Sequence, residues 1–135
     1  MIIKEVSQIT GISVDNLRYY ERIGLIPPVP RTESGIRDYD EMSLQWIDLA
    51  MKFKKAGVPL DSIIEYIRLA MEGEHTKIAR REILTEVRDN ILSKINEMQE
   101  FLQLIDYKIN NYYSVCLPAE EKLVNEWNKS KNGKE

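Results

Sequence analysis

Arg18 and Tyr19 stand side by side, Arg22 follows one helical turn on, and Arg31, Arg37 and Tyr39 come soon after. Guanidinium groups and phenolic hydroxyls donate hydrogen bonds to oxyanions, and the charge-assisted bonds are the stronger ones. A set of donors repeated at short spacing therefore suits a row of phosphodiesters. Arg18 is the best placed of them, with a surface ion pair to Asp15 or Glu21 as its plain alternative. Tyr19 could donate its hydroxyl or sit as a partly exposed core aromatic. Ser13 and Asn16 lie just ahead, and Asn16 has the amide chemistry that reads base edges. Arg37 and the approaching Arg31 could reach phosphates or a minor groove, whereas Tyr39 reads first as an anchor packed inward, with backbone contact second. Lys52, Lys54 and Lys55 form a charge run of the kind found on a solvated helix face.

Other reactive side chains are sparse. Cys116 is the single cysteine, which rules out an intrachain disulfide framework. It could act as a sensing thiol if its pKa were lowered, but Ser-Val-Cys-Leu-Pro supplies no adjacent cation, and a small buried hydrophobe is the common alternative. His75 and Cys116 lie more than forty residues apart in the sequence and make a weak metal signal. No nucleophile–base pair, glycine-rich phosphate loop or clustered carboxylate pair stands out, so neither an enzyme nor a cofactor is expected.

The elements that must hold the cationic set follow from spacing. Val6 and Ile9 mark a short first helix that Gly11 closes. Ser13 caps a second, with Val14, Leu17 and Tyr20 turned inward and Gly24 and Pro27-Pro28 ending it. Two short helices about a Gly-Ile turn form a helix-turn-helix. Residues 29–38, rich in turn formers, predict a small β-hairpin wing whose second strand is Ile36 to Tyr39. Asp40 caps a helix to about Ala56, with Leu44, Ile47, Met51 and Trp46 or Phe53 facing the core. After Pro59 comes another, striped by Leu60, Ile63, Ile64, Ile67 and Met71 and stopped at Glu72-Gly73-Glu74.

From Thr76 to Tyr113 there is neither Gly nor Pro, and one continuous helix would run roughly 55 Å. Leu84, Val87, Ile91, Ile95, Met98, Leu102, Ile105, Ile109 and Tyr112 form a heptad seam with one stutter. A lone helix cannot bury such a stripe against itself, so the seam predicts a two-chain coiled coil. Ser114 to Pro118 reads as a helix break, Ala119 to Trp127 as a short terminal helix, and Asn128 to Glu135 as a frayed tail.

At 135 residues, 43% hydrophobic and 30% charged, the composition is that of a soluble globular protein, with no apolar run long enough to span a membrane. The charged start is no signal peptide, and cytoplasmic localisation is expected. The net charge of −3 is unusual for a chain that grips phosphates. Up to Gly57, eight basic residues (Lys4, Arg18, Arg22, Arg31, Arg37, Lys52, Lys54, Lys55) meet eight acidic ones. Any anion contact must then rest on local placement.

The run Arg18-Tyr19-Tyr20-Glu21-Arg22-Ile23-Gly24-Leu25-Ile26, with Pro27-Pro28 and then Ser34-Gly35-Ile36-Arg37-Asp38-Tyr39, resembles the start of a MerR-family transcription regulator. The match in type and spacing extends from about Ile3 to Gly57, and more loosely into the long helix. The resemblance implies a mainly α fold: a winged helix-turn-helix head over 1–75, an antiparallel dimerisation coiled coil over 76–113, and a C-terminal loop and short helix over 114–135. It also implies a homodimer that binds an inverted repeat in a promoter and distorts the duplex for RNA polymerase, under the control of an effector. Arg18, Tyr19, Arg37 and Tyr39 take the family's DNA-contacting positions.

The chain departs from two branches of that family. Metal-sensing members carry a cysteine where His75-Thr76-Lys77 stand, with more in the loop beyond. The branch associated with aldehyde or electrophile stress, nearest in pattern, often has a cysteine where this chain has Lys52. Only about 20 residues follow the long helix, too few for a separate effector domain. The alternatives are a coiled-coil interaction module without DNA binding and a thiol sensor acting through Cys116.

Overall fold

The computed structural model describes residues 1–132, with Gly133, Lys134 and Glu135, the end of the expected tail, outside the described residues. The chain divides into two compact units, Met1–Asp89 and Asn90–Glu135.

In the first unit, α1 (Ile3–Thr10) and α2 (Val14–Ile23) form the helix-turn-helix. The Ser13 hydroxyl accepts the Asn16 N–H at 3.1 Å, satisfying a donor that a helix start leaves unpaired. Gly24, at φ 82°, ends α2 in a left-handed turn in which the Leu25 N–H reaches the Tyr20 carbonyl at 2.9 Å. That turn drops Leu25 and Ile26 into the core.

Helix α3 (Glu41–Lys55) begins at Asp40, whose carboxylate accepts both the N–H and the hydroxyl of Ser43. The backbone bond from Ser43 is the main reason the Asp40 carboxyl sits below its ordinary value. Helix α4 (Leu60–Glu72) follows Pro59. Val6, Leu17, Tyr20, Leu25, Ile26, Val29, Tyr39, Ile47, Ala50, Ile63 and Ile67 make the core, and Ile3, Leu44, Trp46, Met51, Phe53 and Ile64 pack against its edge. Of the expected α4 stripe, Leu60 and Met71 at its two ends remain exposed.

The expected β-hairpin wing is not formed. Residues 29–38 contain no strand, and the segment closes on a single antiparallel bridge between Arg31 and Arg37. A turn from Thr32 to Gly35, with Gly35 at φ 85°, carries the Thr32 N–H to the Ile36 carbonyl at 2.8 Å. Pro27, Pro28 and Pro30 have no N–H to extend a ladder on one side. The last bond of the pairing runs from the Asp38 N–H to the Pro30 carbonyl at 2.7 Å, and the Tyr39 N–H, pointing the other way, donates to the Met1 carbonyl at 2.8 Å.

A single 3₁₀ turn, Glu74–Thr76, leads into α5 (Lys77–Asn110). The Thr76 hydroxyl, buried, lies 2.6 Å from the Leu69 carbonyl and 2.7 Å from that of Gly73, and accepts from Arg80 Nε at 3.1 Å. No residue of α5 is buried within the chain. Leu84, Ile95, Met98, Leu102 and Ile109 of the heptad seam are exposed, and Val87, Ile91 and Ile105 only partly covered.

In the second unit the expected break at Ser114 to Pro118 is replaced by helical backbone. Asn111 interrupts the regular spiral at φ −117° and ψ 25°, one π-helical turn spans Tyr112–Cys116, and α6 runs over Leu117–Asn132. The final helix thus starts before Ala119 and continues past Trp127, through residues expected to fray. Pro118, the second residue of α6, has no N–H to offer to the π-helical turn before it. Among the described residues no helix is long and apolar enough to cross a membrane.

Candidate nucleic-acid interface

Helix α2 buries Leu17 and Tyr20 on one side, so its other side carries Asp15, Asn16, Arg18, Tyr19 and Arg22 outward. Asn16 is exposed, and its backbone N–H is already committed to Ser13. Arg18 keeps 53% of its side chain in solvent and lies 3.6 Å from the Asp15 carboxylate. The plain alternative for Arg18 is therefore present, but as an exposed pair at long distance, which holds a guanidinium weakly. Tyr19 is 42% exposed, and the Arg22 guanidinium sits 5.3 Å from its ring centroid. The cation over the ring adds a favourable contact at this exposed position.

The proline-rich segment brings its two arginines to the same edge. Arg37 Nε donates to Glu21 Oε1 at 2.7 Å, Arg31 Nη2 lies 3.9 Å from that oxygen, and the Val29 N–H donates to Glu21 Oε2 at 2.9 Å. Arg31 Nη1 also donates to the Gly35 carbonyl at 3.1 Å. The Glu21 side chain is only 12% exposed. Burial pushes its carboxyl up, but the bonds from Arg37 and Val29 and the charges of Arg37 and Arg31 outweigh this and hold it below its ordinary value. The sequence reading considered Glu21 only as a partner of Arg18 and missed its role here. Its contacts reach 8 and 16 residues along the chain.

Tyr39 is only 2% exposed, and its hydroxyl is enclosed without a hydrogen-bond partner among the described residues. Burial raises its pKa, and the charges of Arg37, Arg18 and Arg31 oppose the rise. The Glu21 charge, among the same groups, adds to the rise. Arg37 and Arg31 share one carboxylate, Glu21, in a stretch up to Gly57 whose basic and acidic residues are equal in number. Such an edge can bind a run of oxyanions without the chain being basic.

The remaining candidates lie elsewhere. His75 Nε2 is 3.8 Å from the Glu72 carboxylate, and among the described residues no group of three or more His, Cys, Asp or Glu side chains could hold a metal ion. Cys116 is buried and its Sγ donates to Glu120 Oε1 at 3.1 Å. That bond, then burial and the Glu120 charge, push the thiol up, away from the thiolate that reactivity requires. A cavity of about 210 Å³ adjoins it, lined mainly by Leu104, Tyr107, Val115, Ala119 and Leu123.

A capped recognition helix with exposed Asn and Arg side chains, flanked by a cationic turn, defines a helix-turn-helix nucleic-acid-binding protein. The sequence profile described as "MerR family regulatory protein" matches residues 3–39. The HTH-type transcriptional regulator AdhR of Bacillus subtilis (strain 168) is 45% identical over 92 residues, which is 68% of this chain and 66% of AdhR. The chain thus spans just under two thirds of that relative. The crystal structure of a protein assigned to the MerR family of transcriptional regulators from Listeria monocytogenes superposes with a TM-score of 0.80 at 43% identity, covering 97% of this chain and 98% of that one. HiNmlR, a MerR family regulator lacking the sensor domain and bound to promoter DNA in its crystal structure, matches with a TM-score of 0.74 at 28% identity over 86% of this chain and 92% of that one. The chain belongs to the MerR family of DNA-binding transcriptional regulators.

Proposed function

We propose that this chain is a non-enzymatic, cytoplasmic regulator that binds an inverted-repeat promoter as a homodimer and distorts it to control access by RNA polymerase. The observation that carries the reading is the exposed face of α2 with Asn16, Arg18 and Tyr19, together with Arg31 and Arg37 tied to the same helix through Glu21. In this reading Arg18, Tyr19, Arg31 and Arg37 hold the phosphate backbone, Ser13 and Asn16 stand at the bases, and Tyr39 fixes the cationic turn from below. The head lies within 1–75, the stretch 76–113 pairs antiparallel with its counterpart, and the terminal helix beyond residues 114–118 folds back on the dimer. Support for pairing comes from α5, whose apolar seam is left mostly exposed and nowhere buried within the chain.

The test is a duplex selected from a randomised library by the full chain, then titrated at several salt concentrations. Arg18→Ala and Arg37→Ala should each weaken binding and reduce the salt slope by about one unit. Unchanged affinity and slope in both variants would overturn the reading in favour of an interaction module.

A further inference from the structure

We propose that Glu21 is a positioning residue for DNA binding: by holding the Nε edge of Arg37, it aims the two Nη groups of that guanidinium at a backbone phosphate. The inference rests on the proposed DNA reading of Arg37. Arg37 Nε is bound to Glu21 Oε1 at 2.7 Å, and among the described residues its Nη1 and Nη2 make no hydrogen bond. The side chain is 24% exposed, enough to present one edge while the other is fixed. Guanidinium is planar with five donors in a rigid fork, so pinning one edge sets the direction of the rest.

Glu21 is itself fixed. Its second oxygen accepts the Val29 N–H at 2.9 Å, and its backbone belongs to α2, the helix that carries Asn16, Arg18 and Tyr19. One carboxylate thereby ties the cationic turn to the recognition helix in a single register. Both oxygens are used, so an amide in its place has one acceptor too few.

Two accounts of Glu21 predict opposite signs. As a bystander anion next to DNA it repels phosphate, and removing its charge tightens binding. As a positioning residue it confers more than it repels, and removing it weakens binding. With the selected duplex, Glu21→Gln should lose roughly tenfold in affinity, and the loss should vanish when Arg37 is already alanine, as a coupled pair requires. Arg37→Lys keeps the charge but not the fork, leaves the fold intact, and should bind like Arg37→Ala. Tighter or unchanged binding by Glu21→Gln, an equal loss in the Arg37→Ala background, or wild-type affinity in Arg37→Lys would each overturn the proposal. Wild-type affinity in Arg37→Ala would instead remove the phosphate reading of Arg37 on which it rests, while the other outcomes leave that reading standing.

Discussion

Lys54 Nζ donates to the Tyr20 hydroxyl at 3.1 Å and lies 5.1 Å from the same ring's centroid. The contact joins α3 to the inner side of α2, so a lysine from an apparently solvated charge run braces the recognition helix. The neighbouring Lys52 does behave as that run suggests, pairing with Asp48 at 2.8 Å in the open. Lys54→Ala should lower unfolding stability by about 1 kcal/mol, more than the few tenths expected of Lys52→Ala. Chemical denaturation of the two variants compares them directly.

Acid should weaken the head through Glu21. Its folded pKa lies below the ordinary value of 4.5, so its contribution to stability is fully present above 4.5 and is lost as pH falls through the folded value. Asp40 and Glu65 are depressed as well and act in the same direction. Unfolding followed by circular dichroism between neutral pH and pH 3 should show this loss, and Glu21→Gln should make it shallower. An unchanged acid profile in Glu21→Gln would mean that its ion pair contributes nothing to folding.

Cys116 should react slowly. The hydrogen bond to Glu120 is the main cause of its raised pKa, with burial next. Alkylation by iodoacetamide at neutral pH should be slower than for a free thiol, and Glu120→Ala should speed it by favouring the thiolate. Rapid wild-type alkylation would restore the case for a sensing thiol.

The seam on α5 gives a test of assembly. Leu102 is exposed in the single chain and stands midway between other seam positions. A Leu102→Glu chain should sediment as a monomer, and its affinity for the selected duplex should drop by at least tenfold because one head cannot span both half-sites.

The helices were legible because their signals are local. Ser13 caps α2 and Gly24 ends it within the stretch that each controls, and Asp40 does the same for α3. The seam could be read from apolar spacing alone. What escaped reading depends on distant partners. Glu21 became the centre of the cationic edge only when residues 29–37 folded back on α2, and periodicity within a helix carries no trace of that. Leu25, Ile26 and Val29 are fully or almost fully buried although they lie outside any helix, since the left-handed turn at Gly24 sends them inward. The turn at Ser34-Gly35 was legible, but the strands beside it were not formed, because Pro28 and Pro30 have no N–H to extend the pairing past the bond from the Asp38 N–H to the Pro30 carbonyl. At Asn111 a π-helical turn absorbs the irregularity expected of a loop, an adjustment that composition does not encode.

The absence of net positive charge from the head bears on how such a protein would share a cell with a whole chromosome. Binding to arbitrary duplex is almost wholly a matter of cations displacing condensed counterions. Two guanidiniums shared with one internal carboxylate and a third beside Asp15, on a chain of net charge −3, provide little of that generic attraction. Few copies would then be held idle on unrelated sequence. A small pool of molecules could keep its operator occupied against a vast excess of competing sites.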